Sequence, residues 1–230
     1  MIALKSHLVR TQLALWSLAQ ARLPGFDFGL PARSQNPYVT HIPALLAISK
    51  LIQPRRVIEF GCGRYSTLTF LNPVAFPALV ELSSYENDAT WVQNIGDEVG
   101  NEPRLHLHLV DGPMHVAAQS CALGQYDLIL IDDSASAEER ARTIQTVCSQ
   151  ASASSVIAIH DFEIPLYRRS LPAGMNMRVF DAYMPLTGLC WTGRRLESPQ
   201  FAGLNKAMRR CRHLNPEDIV AWRHVFDSVS

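Results

Sequence analysis

Two short apolar runs end in side chains that could carry out chemistry. Asp132 and Asp133 follow the run YDLILI, and His160 and Asp161 follow the run SVIAI. If both runs are parallel strands, their carboxyl ends open on one crevice and these side chains meet there. The group could bind a divalent cation that lowers the pKa of a bound hydroxyl. Alternatively, His160 could act as a general base that Asp132 or Asp161 orients.

A structural interpretation of the same residues stays open. Asp161 could cap the segment that begins at Phe162, and His160 could be a buried histidine with satisfied hydrogen bonds. His41, which stands just before Pro43, is a further candidate near the mouth of the expected sheet.

A glycine turn follows an earlier apolar run, in the stretch EFGCGRYST. Gly61 and Gly63 allow the backbone to turn tightly and to approach a ligand closely. Ser66 and Thr67 are expected to begin the next helix, whose free N–H groups and positive dipole end favour a carboxylate or phosphate. The dinucleotide pattern G-x-G-x-x-G has a third glycine, and Ser66 occupies that position here. The turn therefore predicts a nucleotide-like ligand without specifying it.

Two acids accompany this turn. Glu59 lies within the end of the preceding strand, and Glu86 ends the next apolar run. A carboxylate at the second position can accept hydrogen bonds from both hydroxyls of a ribose. The alternative interpretation of Glu86 is a favourable charge at a helix N-terminus.

Strand-like and helix-like segments alternate through the middle of the chain. The strand-like runs are 55–60, 77–85, 105–110, 126–131 and 155–159. Helical candidates are Ser66–Leu71, Asp88–Val99, Pro113–Leu123 and Ala135–Gln150, after an earlier helix over Tyr38–Ile52. Several runs lack polar alternation, as expected of strands covered on both faces. The stretch MRVFDAYMPLTGLCWTGRRL predicts a closing hairpin with a Pro-Leu-Thr-Gly turn. These patterns predict an α/β fold with a doubly wound, mostly parallel sheet.

Composition favours one domain with additions at its ends. The chain has 230 residues, of which 47% are hydrophobic and 18% are charged. We expect N-terminal helices over residues 1–54, a cofactor-binding core over 55–196 and a C-terminal helical extension, roughly Phe201 to Val229, within 197–230. The first 25 residues lack the clean apolar core of a signal peptide and predict an amphipathic helix. The terminal helices are candidates for a homodimer surface.

Charge and cysteine usage narrow the partners and the compartment. The formal net charge is zero, and no basic or aromatic-basic stripe is present, which argues against a nucleic-acid substrate. No stretch reaches the length of a membrane span. Five widely spaced cysteines without a CxxC pair favour reduced thiols in a cytoplasmic protein over a structural zinc site.

Taken together, the motifs resemble those of class I S-adenosylmethionine-dependent methyltransferases over about residues 38 to 196. The resemblance rests on E-x-G-x-G after the first strand, an acid ending the second, an aspartate after the third and a closing hairpin. EFGCGRYST and SYENDATW are similar to a subgroup with the patterns E-x-G-x-G-x-S-T and S-x-E-x-D-x-x-W. The resemblance implies a Rossmann-like, seven-stranded sheet, with S-adenosylmethionine as the cofactor.

The resemblance also implies roles for individual residues. Four residues at the turn and the helix start would hold the methionine part of the cofactor, namely Gly61, Gly63, Ser66 and Thr67. Glu59 would hold the cofactor's amine through water, and Glu86 would hold its ribose. Asp111 and Gly112 would lie at the adenine.

The positions of Asp132, His160 and Asp161 resemble those of metal-dependent catechol O-methyltransferases. That type has an acid at the end of the fourth strand and Asp-Asn at the end of the fifth, where this sequence has His-Asp. His-Asp also resembles plant glucuronoxylan O-methyltransferases, which methylate a sugar acid. The resemblance implies methyl transfer to a hydroxyl of a small molecule or sugar. The three residues are then the catalytic group and the candidate ligands of Mg²⁺ or Mn²⁺.

Substrate recognition is expected from segments that flank the core. They are residues 34–41, residues 162–171 and the last hairpin, and they offer Tyr38, Tyr167, Arg168 and Arg169 as contacts. Two functions of other classes stay open at this point. One is an NAD-dependent oxidoreductase, and the other is an interaction module that binds a cofactor without catalysis.

Overall fold

A computed structural model describes residues 31–34, 36–134, 136–193 and 199–229. The predicted N-terminal amphipathic helix lies outside the described residues. The strands are β1 (Ala32–Arg33), β2 (Arg56–Phe60), β3 (Glu81–Glu86), β4 (Leu105–Leu109), β5 (Leu128–Ile131), β6 (Val156–Ile159), β7 (Asn176–Phe180), β8 (Tyr183–Met184) and β9 (Thr187–Trp191). The helices are α1 (Ile42–Ile52), α2 (Arg64–Leu71), α3 (Ala89–Val99), α4 (Met114–Gln119), α5 (Ala137–Gln150), α6 (Pro165–Arg169), α7 (Pro199–Arg210) and α8 (Ile219–Asp227).

Seven strands form one sheet in the order β4-β3-β2-β5-β6-β9-β7. Neighbours from β4 to β6 pair in parallel, and β9 runs antiparallel to both β6 and β7. The predicted α/β sheet of seven strands, mostly parallel with an antiparallel C-terminal hairpin, is confirmed. The chain moves from β2 outward to β4 and then returns to place β5 on the other side of β2. This reversal opens a crevice at the carboxyl ends of β2 and β5.

Apolar cores cover both faces of the sheet. The central strands β5 and β6 carry the sequences LILI and VIAI, and every residue in them is buried. Alternate residues point to opposite faces, so Leu130 joins the core beneath α1, α2, α7 and α8, while Ile129 joins the core beneath α4, α5 and α6. Strand β4 lies at the edge of the sheet, which explains why its pattern LHLHL alternates.

The closing hairpin differs from its prediction in the turn. Thr187 and Gly188 belong to β9, so the predicted Pro-Leu-Thr-Gly turn is wrong. Gly188 packs flat on the Phe162 ring, where a Cβ atom would come within 2.3 Å of the ring carbon Cγ. The connection from 181 to 186 instead contains β8, which pairs in parallel with β1, and a cis peptide bond before Pro185.

The C-terminal extension contains two helices. Helix α7 ends at Arg210 and α8 begins at Ile219. Pro216 lies between them and has no N–H group to continue a helix. Trp222 of α8 is fully buried, stands edge-on to the Tyr183 ring and donates a hydrogen bond to the carbonyl of Asn215 at 3.1 Å. No helix within the described ranges is long and apolar enough to cross a membrane.

Candidate active site

A cavity of about 780 Å³ opens at the carboxyl ends of the central strands. One half of its wall is formed by the glycine turn and the residues around it, namely Gly61, Cys62, Gly63, Ser66, Glu86 and Trp91. The other half is formed mainly by titratable side chains, namely those of His41, Asp132, Asp133, Arg140, His160 and Asp161. We call these the cofactor half and the acceptor half. Pro37, Tyr38 and Pro185 lie at the rim.

The glycine turn is held tightly between two strands. Gly61 donates a hydrogen bond to the carbonyl of Tyr85 at 2.8 Å and has a φ of 87°. A Cβ atom at Gly61 would lie 2.3 Å from the backbone oxygen of Asp132. Glycine is therefore required here by conformation and by space.

Helix α2 begins earlier than predicted. Its N-cap is Gly63, so Ser66 and Thr67 lie inside the first turns and do not open the helix. Gly63 has no side chain that could cap this helix, and its first residues, 63–66, line the cavity. Within the described part of the chain the N–H groups of the first turn therefore have no side-chain cap from the N-cap residue, as expected of a site for an anionic group.

Glu86 is fixed in the cofactor half by backbone bonds. Its Oε1 accepts hydrogen bonds from the N–H groups of Asn87 and Asp88 at 2.7 and 2.9 Å. Its Oε2 takes part in neither bond. Burial raises the pKa of this carboxyl above its usual value, and the two N–H donors oppose the rise. The carboxylate is thus oriented at the cavity wall with one oxygen left for a ligand.

Glu59 lies beneath the glycine turn and does not line the cavity. Its Oε1 accepts hydrogen bonds from the hydroxyls of Thr67 and Ser84, both at 2.6 Å. Its Oε2 is buried and has no hydrogen-bond partner among the described residues. Burial raises the pKa of Glu59 to about 7, although both hydroxyls oppose the rise. The unpartnered oxygen fits the expected need for a cationic amine or a water beside it.

We expect Glu59→Gln to stabilise the free protein above neutral pH and to weaken cofactor binding. The folded protein keeps the Glu59 proton up to about pH 7, whereas the unfolded chain loses it near 4.5. Stability therefore falls as pH rises through this window, by about 3 kcal/mol at most. Urea unfolding at pH 5 and pH 8 should show that the free energy of unfolding of the native protein is lower at pH 8, and that the difference is smaller in Glu59→Gln. An identical pH dependence of stability in both proteins would contradict the raised pKa of Glu59.

Asp111 and Gly112 lie outside the cavity wall. Both are exposed after β4, and Gly112, with a φ of 114°, has no atom within 4 Å of where a Cβ would stand. Their expected contact with an adenine stays a prediction.

His160 in the acceptor half has both ring nitrogens occupied. Nδ1 lies 3.1 Å from Oδ2 of Asp132, and Nε2 lies 3.1 Å from the hydroxyl oxygen of Thr40. The Thr40 hydroxyl also lies 3.1 Å from the carbonyl oxygen of Pro37, to which it can donate its proton while it accepts from His160. Both ring nitrogens of His160 are thus bonded, and in the protonated ring both are donors. Burial alone would lower the pKa of His160, but the Asp132 carboxylate raises it above its usual value.

Arg140 of α5 joins the ends of β5 and β6. Its guanidinium lies 2.9 Å from Asp132 Oδ1 and 2.8 Å from Asp161 Oδ2, with Asp133 Oδ1 at 3.7 Å. The guanidinium also lies 5.7 Å from the centre of the Tyr167 ring. Asp161 adopts a φ of 55°, a left-handed conformation that aspartate tolerates better than most residues. One buried guanidinium is thus the shared cationic partner of three carboxylates at the ends of β5 and β6.

Sequence reasoning missed Arg140, although a signal was present. In AEERARTIQTVC the arginine looks like part of a solvated charge run. However, Arg140 shares a helical face with Thr143, Ile144 and Val147, all of which are buried. Thr143 on that face donates a hydrogen bond to Asp133 at 2.6 Å.

These contacts do not fit the expected site of Asp132, His160 and Asp161 for a hard cation. Asp161 and Asp132 already bind Arg140, and a dication beside a buried guanidinium would be repelled. Among the described residues, His41 rather than Asp161 joins Asp132 and His160 in a group whose ligand atoms lie within 4.8 Å of one another. Two imidazoles and one carboxylate suit borderline transition metals better than Mg²⁺.

The ring of His41 differs from that of His160 in having no hydrogen-bond partner among the described residues. It precedes α1, is 3% exposed and lines the cavity. Neither ring nitrogen has a partner within the described part of the chain. The ring stands edge-on to His160, with centroids 4.9 Å apart. Burial and, next, the charge of His160 lower the pKa of His41 to about 3, so its ring is neutral.

Only one of the predicted substrate contacts lines the cavity. Tyr38 stands at the rim and is 70% exposed. Tyr167 is buried beside Arg140, and burial raises its pKa to about 12. Arg168 lies over the Phe162 ring at 5.3 Å, away from the cavity wall.

The segment before α1, residues 32–34 and 36–41, is attached both to α2 and to the closing hairpin. Asn36 donates a hydrogen bond to the Tyr65 hydroxyl at 3.0 Å, which joins the segment to α2. Ala32 donates to the carbonyl of Ala182 at 2.7 Å, which joins it to the hairpin. These attachments bring Thr40 and His41 to the acceptor half from a part of the chain far from β5 and β6.

No protein-family model matches the sequence, and no curated protein matches it. Comparison with solved structures does find similar folds. Human methyltransferase-like protein 13 in complex with SAH (S-adenosylhomocysteine) matches with a TM-score of 0.52 at 16% identity, covering 78% of this chain and 94% of that one. The putative methyltransferase yhhF from Escherichia coli matches with a TM-score of 0.52 at 11% identity, covering 70% and 89%. A spermidine synthase from Thermotoga maritima matches with a TM-score of 0.51 at 13% identity, covering 82% and 73%.

Other matched proteins are longer than this chain. The chain spans 61% of a spermidine synthase in complex with the transition-state analogue AdoDATO and 46% of TrmN from Thermus thermophilus, both with TM-scores of 0.48. At identities this low the comparisons establish the fold alone. The chain therefore has the Rossmann-like fold of class I methyltransferases, a fold that spermidine synthase shares.

Proposed function

We propose that this protein is an S-adenosylmethionine-dependent methyltransferase that acts on a hydroxyl of a small molecule or sugar. The observation that carries the proposal is the continuity of the cavity. One wall combines Glu86 and an uncapped helix start with the acceptor half around Asp132 and His160. The fold of this chain, shared with a methyltransferase solved with SAH, supports the same cofactor class.

The cofactor half and the layer beneath it offer a partner for each polar part of S-adenosylmethionine. The α2 N-terminus suits its carboxylate, Glu86 suits its ribose diol, and Glu59, buried beneath the glycine turn, suits its amine through a water. When bound, this cofactor supplies an activated methyl group on a sulfonium, which is transferred by in-line displacement. The protein then has to place the acceptor's nucleophile and receive its proton.

The acceptor half provides a rigid surface for that placement. Arg140 and His160 together satisfy both oxygens of Asp132, which fixes the end of β5 beside the glycine turn. The buried positive groups face carboxylates and not open solvent, so their orientation is maintained without substrate. Such preorganised charges cost no reorganisation during reaction.

Calorimetric titration with SAH tests the proposal. We expect binding near micromolar affinity. Repeating the titration with a chelator, and then with Mg²⁺ or Mn²⁺, tests a metal separately. A metal-dependent heat that Asp132→Ala abolishes would restore a metal to the mechanism. Absence of SAH binding together with binding of NAD would replace the proposal with an oxidoreductase.

Glu86→Ala should weaken SAH binding by about 100-fold, equivalent to about 3 kcal/mol. The change removes the ribose partner and leaves the N–H groups of Asn87 and Asp88 without their acceptor. Glu81→Ala is the matched control, because Glu81 stands at the far end of β3 and pairs with Arg56 at 3.4 Å. Asp132→Ala should largely keep SAH affinity and abolish methyl transfer. An equal loss of SAH affinity in Glu86→Ala and Asp132→Ala would refute the division into two halves.

A further inference from the structure

We propose that His41 accepts the hydrogen bond of the acceptor's nucleophilic O–H or N–H group and so is a catalytic residue. The inference rests on the proposed methyltransferase function and specifies how the acceptor is held. It assigns to His41 a role that the sequence patterns suggested for His160. The acceptor, in this view, presents a hydrogen-bond donor to a neutral imidazole.

The hydrogen-bonding capacity of the His41 ring is unsatisfied in the described part of the chain. A buried polar group without a partner costs free energy, so such groups in folded proteins are nearly always paired. His41 is 3% exposed, and neither of its ring nitrogens has a partner in the described part of the chain. Because the ring lines the cavity, a ligand inside the cavity can supply the missing donor.

The ring of His160, unlike that of His41, has hydrogen-bond partners at both nitrogens. Nδ1 is bonded to Asp132 and Nε2 to Thr40. A ring in that state has no free lone pair for a substrate proton. His41 has at least one free lone pair, because a neutral imidazole carries a single N–H group. Of the two rings, His41 is therefore the one that can accept.

The His41 ring is held in place and kept neutral by its surroundings. It directly precedes the buried helix α1, and its ring stands edge-on to His160. Burial disfavours a charge on the His41 ring, and a charge on the neighbouring His160 ring disfavours it further. A carboxylate oxygen of Asp132 lies within 4.8 Å of a His41 ring nitrogen and opposes this effect, but that carboxylate is already paired with both His160 and Arg140.

The proton balance of the reaction is consistent with this role. As the bond from the acceptor's oxygen or nitrogen to the methyl carbon forms, the carbon–sulfur bond breaks and its electron pair stays on sulfur. The acceptor's O–H or N–H becomes acidic as it gains positive charge, and its proton passes to a ring nitrogen of His41 and then to water. A weak base suffices because the transfer follows bond formation.

Nitrogen-15 NMR of histidine-labelled full-length protein in complex with SAH tests the hydrogen bond directly. Phenol carries an O–H donor, whereas anisole has nearly the same shape without it. We expect phenol to shift the unprotonated nitrogen of His41 and anisole to leave it unchanged. His160 should show two protonated nitrogens throughout. No His41 response to phenol, catechol or glucuronate would overturn the proposal. A joint response of both histidines to Mn²⁺ or Zn²⁺ alone would overturn it in favour of a metal site.

Turnover of variants provides the second test. With tritium-labelled S-adenosylmethionine and the same hydroxyl compounds, His41→Phe should lower turnover about 100-fold or more. SAH affinity should stay within about twofold, and His41→Gln, which keeps an acceptor oxygen, should recover part of the rate. His106→Phe, an exposed change on β4, is the control. Full turnover in His41→Phe would refute the role of His41 and leave the proposed function intact. Absence of SAH binding in the native protein would instead refute the proposed methyltransferase function.

Discussion

Arg140→Met is expected to lower the free energy of unfolding by about 3–5 kcal/mol at neutral pH, because it leaves the half-buried carboxylates of Asp132 and Asp161 and the buried one of Asp133 without this cation. Arg140 is 5% exposed and contacts Asp132 and Asp161 at less than 3 Å. Methionine fills much of the same volume, so the loss reports charge more than packing. Urea unfolding followed by circular dichroism measures it. The acceptor half should also lose its geometry, with loss of turnover.

The loss of unfolding free energy caused by Arg140→Met should become smaller as the pH is lowered. In the native protein burial opposes ionisation of Asp132, but His160 and Arg140 hold its pKa below the usual value. Its stabilising effect is therefore present above the unfolded pKa of 3.8 and is lost as pH falls below it. Without Arg140 the carboxylates take up protons at a higher pH. The difference in unfolding free energy between the native protein and Arg140→Met should therefore be smallest in acid.

Arg142→Met is the matched control for this experiment. Arg142 lies on the same helix, its side chain is 52% exposed, and it pairs with Glu139 within one turn at 2.7 Å. Exposed pairs of this kind contribute about 0.3–0.5 kcal/mol. A similar loss in Arg140→Met and Arg142→Met, or a loss independent of pH, would show that Arg140 is not a buried counter-ion.

Gly61→Ala should destabilise the protein by about 3 kcal/mol or more and abolish SAH binding. A side chain at a φ of 87° is strained, which costs about 1–2 kcal/mol. The new Cβ would also lie 2.3 Å from the Asp132 carbonyl oxygen, and forced repacking of backbone costs about 1–3 kcal/mol more. Relief requires β2 and β5 to separate at their carboxyl ends, which is where the cavity opens.

Gly112→Ala separates backbone strain at a positive φ from the clash of the added Cβ atom. Gly112 also has a positive φ, of 114°, but nothing lies within 4 Å of the added atom. It should therefore show the strain without the clash, and SAH affinity should stay nearly unchanged if Gly112 contacts no adenine. Equal losses of stability in Gly61→Ala and Gly112→Ala would mean that the close approach to Asp132 does not matter. Thermal unfolding and calorimetry measure both quantities.

The sequence by itself determined the sheet, because the strand signals are local. A central parallel strand is buried on both faces, so LILI and VIAI are apolar at every position and recognisable without a partner. The glycine turn was recognisable for a similar reason, since a positive φ and a close approach leave glycine as the residue that fits. The positions of Glu86, Asp132 and His160 followed from the rule that parallel strands end at one edge.

Only the tertiary structure decided which side chains act together. Arg140 looks like a surface charge until packing places it between Asp132 and Asp161. Thr40 and His41 reach the site because the segment before α1 folds over the cavity, and no local pattern encodes that path. Hydrogen-bond saturation is a property of all neighbours at once, so the protonation of His160 and the free lone pair of His41 depend on contacts between residues about 120 positions apart.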